Sequence, residues 1–322
     1  MRPNETMRPK LFYVHNSQNI KINGLSLRNS ACWGVTFDSC FNVILSNLHV
    51  FNRAYWNNDG IDITDCKRVV IESCNVNSAD DGICLKSYNS NSCNDSIIIK
   101  KCIIRSSASA IKFGSASHGG FKNIKIDGIH IFDTYRSAIA IESVDGGQIE
   151  NIRIRNIIAK NTGNAIFVRL GNRSGGSVGC IRGVRIENME VDIPFGRPDI
   201  NYDMRGPDVP FFHNPIPASI TGIPGYQVED VSIKNVKISY PGRASRGMAY
   251  ISLSRLGQVP EKVEEYPEYT MFGELPAWGF YVRHVKNIDF ENITLIVRNE
   301  DYRPAIIFDD TKKITIKKMR IS

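Results

Sequence analysis

The stretches Asn57-Asn58-Asp59-Gly60-Ile61-Asp62-Ile63 and Asp80-Asp81-Gly82-Ile83-Cys84-Leu85-Lys86 share the frame Asp-Gly-Ile-x-aliphatic, about twenty residues apart. They read as one short strand met twice, in successive turns of a repeating structure. In that arrangement Asp59, Asp80 and Asp81 stack at the mouth of a single groove.

The repeat extends along the chain. A pattern polar-aliphatic-x-aliphatic-x-Asn/Gly-aliphatic begins at Asn19, Asn42, Arg68, Ser96, Asn123 and Asn151, with starts 23 to 28 residues apart, and returns at Gly183, Asp230, Asn287 and Lys313. Apolar and polar residues alternate with period two and then break at a small or amide residue. That predicts a half-buried strand followed by a turn, with Gly24, Asn47, Gly128, Asn156, Asn188, Asn235 and Asn292 suited to a left-handed backbone. Between these units lies a second strand register, as in Gly34-Val35-Thr36-Phe37, Ala110-Ile111-Lys112-Phe113, Ala138-Ile139-Ala140-Ile141, Ala165-Ile166-Phe167-Val168 and Gly279-Phe280-Tyr281-Val282. Short strands at a fixed period near 25 predict an all-β fold, a right-handed parallel β-helix (solenoid) whose coils bury one continuous apolar column. A β-sandwich also gives many short strands, but no fixed register.

An unbroken repeat predicts one domain over residues 1–322. The spacing stretches to 47 residues after Gly183 and to 57 after Asp230. The intervening 192–229 and 239–278 read as long loops projecting from the coils, where solenoids place binding surfaces. Forty Lys and Arg against thirty-three Asp and Glu give a net charge of +7. The cations are dispersed and accompany no recognition motif, so no nucleic-acid partner is expected. No apolar run approaches the ~18 residues of a membrane span.

The eight cysteines show no metal-type Cys-x-x-Cys pairing. Cys40 and Cys66 share one repeat slot and Cys74 and Cys102 another, which predicts stacked buried thiols; disulfides between coils are the alternative, in an oxidising compartment. Repeat material begins almost at Met1 and ends at Ser322, without a capping segment or a signal peptide. The expectation is therefore a chain truncated at its N-terminus, since a bare first coil exposes a strand edge.

Two carboxyl groups flanking a scissile bond are the usual equipment for hydrolysing a glycosidic linkage. Carboxylates packed closely cannot all ionise cheaply, so one keeps its proton and can protonate a leaving oxygen. Inversion requires acid and base about 6.5–9.5 Å apart to admit a water. Neighbouring strands about 4.8 Å apart supply that spacing once side chains splay. Taken singly, Asp59 or Asp81 before a glycine reads as a turn residue.

Asn58-Asp59-Gly60-Ile61-Asp62, then Asp80-Asp81-Gly82-Ile83, preceded by Asn29-Ser30-Ala31-Cys32-Trp33, resembles glycoside hydrolase family 28, the polygalacturonase family. The resemblance covers the chain from Arg8-Pro9 to about residue 190. It implies hydrolysis of pectic plant cell-wall polysaccharide with inversion, without metal or cofactor, by a secreted or periplasmic protein expected to be a monomer. It also implies Asp80 as general acid, with Asp59 and Asp81 activating the water.

The chain then departs from the family pattern. Where the family has Gly-His-Gly, this sequence has Ala108-Ser109-Ala110, and the nearest histidine is His118 in Ser117-His118-Gly119-Gly120. Where the family has Arg-x-Lys to hold a uronate, it has Ala140-Ile141-Glu142. Exchanging two cations for an anion repels a uronate there. Either the sugar beside the bond is neutral, such as rhamnose or galactose with Glu142 accepting from its hydroxyls, or other cations replace the pair. Lys112 and Arg169, at strand positions whose parity points outward, and Lys86, which follows the Asp80-Asp81 strand, are the candidates. Trp56, with Tyr55, precedes the first aspartate motif and offers a face for sugar stacking, as do Trp278 and Tyr281 further along. Two other functions fit the architecture: a non-catalytic polysaccharide-binding β-helix and a polysaccharide lyase. The missing uronate clamp argues against the lyase.

Overall fold

Period-two alternation turns one side of each strand inward. In Phe41–Ser46 the inward residues Val43 and Leu45 are fully buried, and in Lys67–Glu72 Val69 and Ile71 take the same places. The structure is a computed structural model that describes residues 7–199, 216–247, 249 and 251–322.

The described residues are all-β apart from one short 3₁₀ segment, Leu253–Gln258. Each strand pairs in parallel with the strand one coil on. Val35–Asp38 pairs with Ile61–Thr64, which pairs with Ile83–Ser87, which pairs with Ile111–Ser117. Two further columns stack likewise, one through Phe41–Ser46, Lys67–Glu72 and Asn94–Lys100 and one through His49–Asn52, Asn75–Ser78 and Ile103–Ser106. The first repeat pattern runs through these two columns, and the second register is the column that carries Ile61–Thr64.

The corners between columns are left-handed. All of the residues expected there are so, from Gly24 (φ 72°) and Asn47 (φ 52°) to Asn292 (φ 56°). The residues that open the pattern are left-handed too, including Asn19 (φ 58°), Arg68 (φ 56°) and Lys313 (φ 58°), where the alternation alone predicts ordinary strand. Asparagine tolerates this conformation and also links coils. The Asn42 amide donates to Asn19 at 2.7 Å, Asn235 to Asn188 at 3.0 Å and Asn292 to Asn235 at 2.8 Å.

One apolar cluster runs through the coils from Val35 to Leu295. Cys40, Cys66, Cys74 and Cys102 belong to it, and all eight cysteines are free thiols. Burial pushes the Cys66 thiol up to about 12. A second apolar cluster lies outside the coils. There Val259, Tyr269, Phe272, Leu275 and Ala277 cover Ala140, Phe167, Tyr281 and Ile307, the outward residues of the column that carries the aspartate motifs.

Both stretches read as loops hold more than loop. Within 192–229, Ala218–Thr221 is a strand paired to its neighbours on both sides, while 200–215 lie outside the described residues. The segment 251–278 is irregular apart from its 3₁₀ turn, but it is docked along its length rather than projecting. The N-terminal reading falls partly on residues 1–6, also outside the described residues. Among the described residues no helix is long and apolar enough to cross a membrane.

Candidate active site

Asp59 and Asp81 occupy one slot in successive coils, immediately before their strands. The Gly34 amide donates to the Asp59 carbonyl, the Gly60 amide to that of Asp81 and the Gly82 amide to that of Ser109, which places Trp33, Asp59, Asp81 and Ser109 in a row. Glycine follows each aspartate because the next coil is too close for a side chain. A Cβ on Gly60 would stand 2.3 Å from Val76 Cγ1 and 2.5 Å from the Gly82 carbonyl oxygen. Buried amides fix the turn. Asn52 Nδ2 donates to the Asp59 carbonyl at 2.8 Å, and Asn58 Nδ2 donates to the Cys32 carbonyl at 2.7 Å. Asp80 stands beside the slot, its carbonyl accepting from Ser78 Oγ and Ser106 Oγ, each at 2.7 Å.

The three aspartates are brought together, each nearly buried. Carboxylate atoms of Asp59 and Asp81, with the Cys84 sulfur, lie within 4.8 Å of one another. That trio offers ligand atoms for a cation, which would compete with Lys86 for Asp59. The Asp81 carboxylate accepts from the Ser109 amide at 3.1 Å, so where the family has histidine the backbone of this chain meets the aspartate instead.

Lys86 and Lys112 are both buried and both paired. Lys86 Nζ bridges Asp59 at 2.8 Å and Asp62 at 2.5 Å, with the Trp33 ring centre 4.3 Å away. Lys112 Nζ lies 3.4 Å from Asp81 and 3.8 Å from Glu142. Burial disfavours the charge on each lysine, but the paired carboxylates outweigh it and hold both well above the usual range. On the acidic side burial pushes Asp59 well up; Lys86 opposes this, and Asp62, Asp80 and Asp81 add to it. The cluster therefore keeps a proton at a pH where an isolated aspartate has lost it. The upward push falls on Asp59, the carboxyl that the sequence motif assigns to water activation.

Glu142 stands one coil beyond Lys112 with its Oε2 buried and without a hydrogen-bond partner. Burial and the nearby Asp81 push its carboxyl up to about 7, against the pull of Lys112, Arg136 and Arg173. A carboxyl whose pKa is higher folded than unfolded stabilises the protein while protonated, and that contribution fades as pH rises from the unfolded value towards the folded one. The stability of the wild type is thus expected to fall between about pH 4.5 and 7 more steeply than that of Glu142→Gln. Parallel slopes in thermal unfolding across that range would remove Glu142 from the account.

The remaining candidates are scattered. Arg169 does point out of the coil but lies beneath segment 251–278, where it donates to the carbonyls of Gly222, Glu261 and Lys262 at 2.9, 2.6 and 3.0 Å; parity gave its direction but not its cover. His118 sits beyond the strand end with its amide on the Ser87 carbonyl, and its ring makes no hydrogen bond or ion pair among the described residues. Trp56 lies in the turn held by Arg8, whose guanidinium donates to the Trp56 carbonyl at 2.5 Å. Trp278 packs on Tyr240, and Tyr281 is covered by the segment 251–278, so both serve packing. Sequence reasoning missed Asp62, although its outward parity next to Asp59 was visible. It missed Trp33, one coil before Asp59 in the same slot, and Tyr266, whose position nothing in the repeat foretells.

Residues 2–193 match the sequence profile described as Glycosyl hydrolases family 28. A polygalacturonase of Persea americana is 28% identical over 167 residues, covering 50% of this chain and 35% of that protein. The chain spans about a third of the length of the curated relatives it matches first. Among solved structures, a family 28 exopolygalacturonase from Yersinia enterocolitica superposes with a TM-score of 0.63 at 13% identity, covering 95% of this chain and 47% of that one. PfbA, a surface adhesin of Streptococcus pneumoniae, gives 0.60 at 10% identity, covering 100% and 72%. Both are likenesses of fold.

Proposed function

The chain belongs to glycosyl hydrolase family 28, and from that premise we propose that it hydrolyses a glycosidic bond of a pectin-type polysaccharide with inversion. The observation that carries the reading is the stacking of Asp59 and Asp81 in one slot of successive coils with Asp80 beside it, all three nearly buried. Asp80 is the general acid, and Asp59 and Asp81 hold and activate the water. The coil stack is read as a right-handed parallel β-helix forming one domain. We take the protein to be a monomer acting outside the cytoplasm, where its polymer is found, with no metal or cofactor in the reaction.

The sugar next to the bond is neutral in this reading. Lys112 is engaged by Asp81 and Glu142, and Arg169 is engaged under the 251–278 segment, so neither takes the place of the family's missing pair. Glu142, whose Oε2 makes no hydrogen bond, offers an acceptor, or a donor when protonated, to a sugar hydroxyl. A second assignment of roles rests on the upward push on Asp59, which suits it to donate the proton instead.

A panel of homogalacturonan, rhamnogalacturonan and neutral-side-chain oligosaccharides, with the product anomers followed by NMR, tests the proposal. Inverted products from a rhamnose- or galactose-bearing substrate are expected. Faster cleavage of homogalacturonan would overturn the neutral subsite. No product from any member would leave a polysaccharide-binding role in place of hydrolysis.

A further inference from the structure

Segment 251–278 lies outside the stretch that matches the family, and its Tyr266 meets the Lys112 ammonium that pairs with Asp81. Following the outward positions coil by coil, Asp62, Cys84, Lys112, Ala140, Phe167 and Ser219 form one row, and Lys86, Glu142, Arg169 and Thr221 lie in the row beside it. Up to Lys112 and Glu142 the side chains face the aspartate cluster. From Ala140 and Phe167 onward the rows are covered by Val259, Tyr269 and Phe272.

The cover is fastened by several independent links. Arg169 holds the Glu261 and Lys262 carbonyls, and the Asn172 amide donates to the Val263 carbonyl at 2.8 Å. Arg283 pairs with the Glu261 carboxylate at 2.5 Å, and Arg136 pairs with Glu268. Such a segment is a wall, tied at both flanks to charged groups that are largely buried.

Tyr266 is its inner tip. The Lys112 ammonium that lies 3.4 Å from Asp81 also donates to the Tyr266 hydroxyl at 3.3 Å. The Lys112 ammonium and the Arg173 guanidinium lie 5.4 and 5.7 Å from the centre of the ring, which is still about half exposed. One ammonium thus links the Asp81 carboxylate to the wall, so the segment ends within two hydrogen-bond lengths of the aspartates. Beside the same ammonium, 3.8 Å away, lies the buried Glu142 Oε2, which makes no hydrogen bond.

We propose that Tyr266 and the segment that carries it form a blind end one sugar beyond the aspartates, so that the protein cleaves from a chain end and releases a single sugar. The inference rests on the hydrolase reading above. A terminal sugar seats its ring against Tyr266 and its hydroxyls on Glu142 and Lys112, while the polymer leaves along the open side of the groove. On this proposal the backbone at 261–263, fastened over Arg169 and Asn172, bars internal segments of polymer.

The test compares wild type, Tyr266→Phe and Tyr266→Ala on the pectic polymer that the wild type cleaves, reading product lengths and viscosity against reducing ends released. Wild type is expected to give one short product from the earliest times, with viscosity falling slowly for each bond cut. Tyr266→Phe keeps the ring but loses the hydroxyl that Lys112 reaches, and should give the short product with a KM between those of wild type and Tyr266→Ala. Tyr266→Ala should weaken the hold on the terminal sugar, raising KM about tenfold or more, and add longer products. A ladder of internal fragments from wild type, or unchanged KM and product lengths in Tyr266→Ala, would overturn the blind end alone. No hydrolysis by wild type would overturn it together with the hydrolase reading. Circular dichroism and thermal unfolding of Tyr266→Ala identify a variant that has lost the segment; Tyr266→Ser with an intact unfolding transition then carries the same comparison.

Discussion

Replacing Asp80 with Asn is expected to lower kcat on the natural polymer by about 10²–10⁴-fold, the usual worth of a positioned general acid, while leaving KM close to wild type. Asparagine keeps the shape of the side chain and loses the proton. The backbone of Asp80, which takes the hydroxyls of Ser78 and Ser106, is untouched, so the turn should survive. A substrate with a good leaving group separates the possible roles. An aryl glycoside whose leaving oxygen needs no protonation should restore most of the rate to Asp80→Asn and little to Asp59→Asn or Asp81→Asn. If Asp59→Asn is the variant restored, the upward push on Asp59 marks it as the acid and the roles exchange. Full hydrolysis by Asp80→Asn would end the assignment.

The second large effect is on stability. Lys86 lies between Asp59 and Asp62, and all three side chains are nearly inaccessible to solvent. Lys86→Met keeps the length of the side chain but strands two carboxylates. Breaking a buried pair from one side costs about 3–5 kcal/mol. The unfolding midpoint in denaturant should drop accordingly, and the loss should grow as pH rises and the two acids ionise. Adding Asp62→Asn to Lys86→Met should return part of the loss, a non-additivity that a double-mutant cycle reads directly. A Lys86→Met protein as stable as wild type would mean that the ammonium contributes nothing net there.

Much of this architecture was legible in the residues because the repeat supplies its own alignment. Once Asp59-Gly60-Ile61 and Asp81-Gly82-Ile83 are placed in one slot, the parity of the strand fixes which side chains face the core. The asparagines at the corners announce the bends by a conformation that few other residues accept. Their counterparts Arg68 and Lys313 were not legible, because neither residue type signals a left-handed backbone and only coil-to-coil pairing imposes it. The convergence of the three aspartates followed from the register, and so did the outward direction of Lys112 and Arg169. Their partners did not follow. Lys86 finds Asp62 one coil back and Arg169 finds carbonyls some ninety residues on. An outward position on a strand reads as solvated unless the sequence also shows what lies over it. Segment 251–278 has no period to reveal its path, so Tyr266 stayed invisible until the fold placed it beside Lys112.

The coil-to-coil pairing has a mechanical consequence. Among the described residues each strand pairs with the strands of the coils before and after it, so the paired strands form a one-dimensional stack of rungs. Tension applied along the stack loads every rung in series, and the weakest coil sets the strength of the whole. Tension applied at one end instead unzips a coil at a time, each step breaking few bonds. Segment 251–278 acts as a brace on that ladder, because its ties to Arg136, Arg169 and Arg283 reach across four successive coils, the outer two of which do not pair with each other. The coils beneath the brace should therefore part together, while those outside it come away singly.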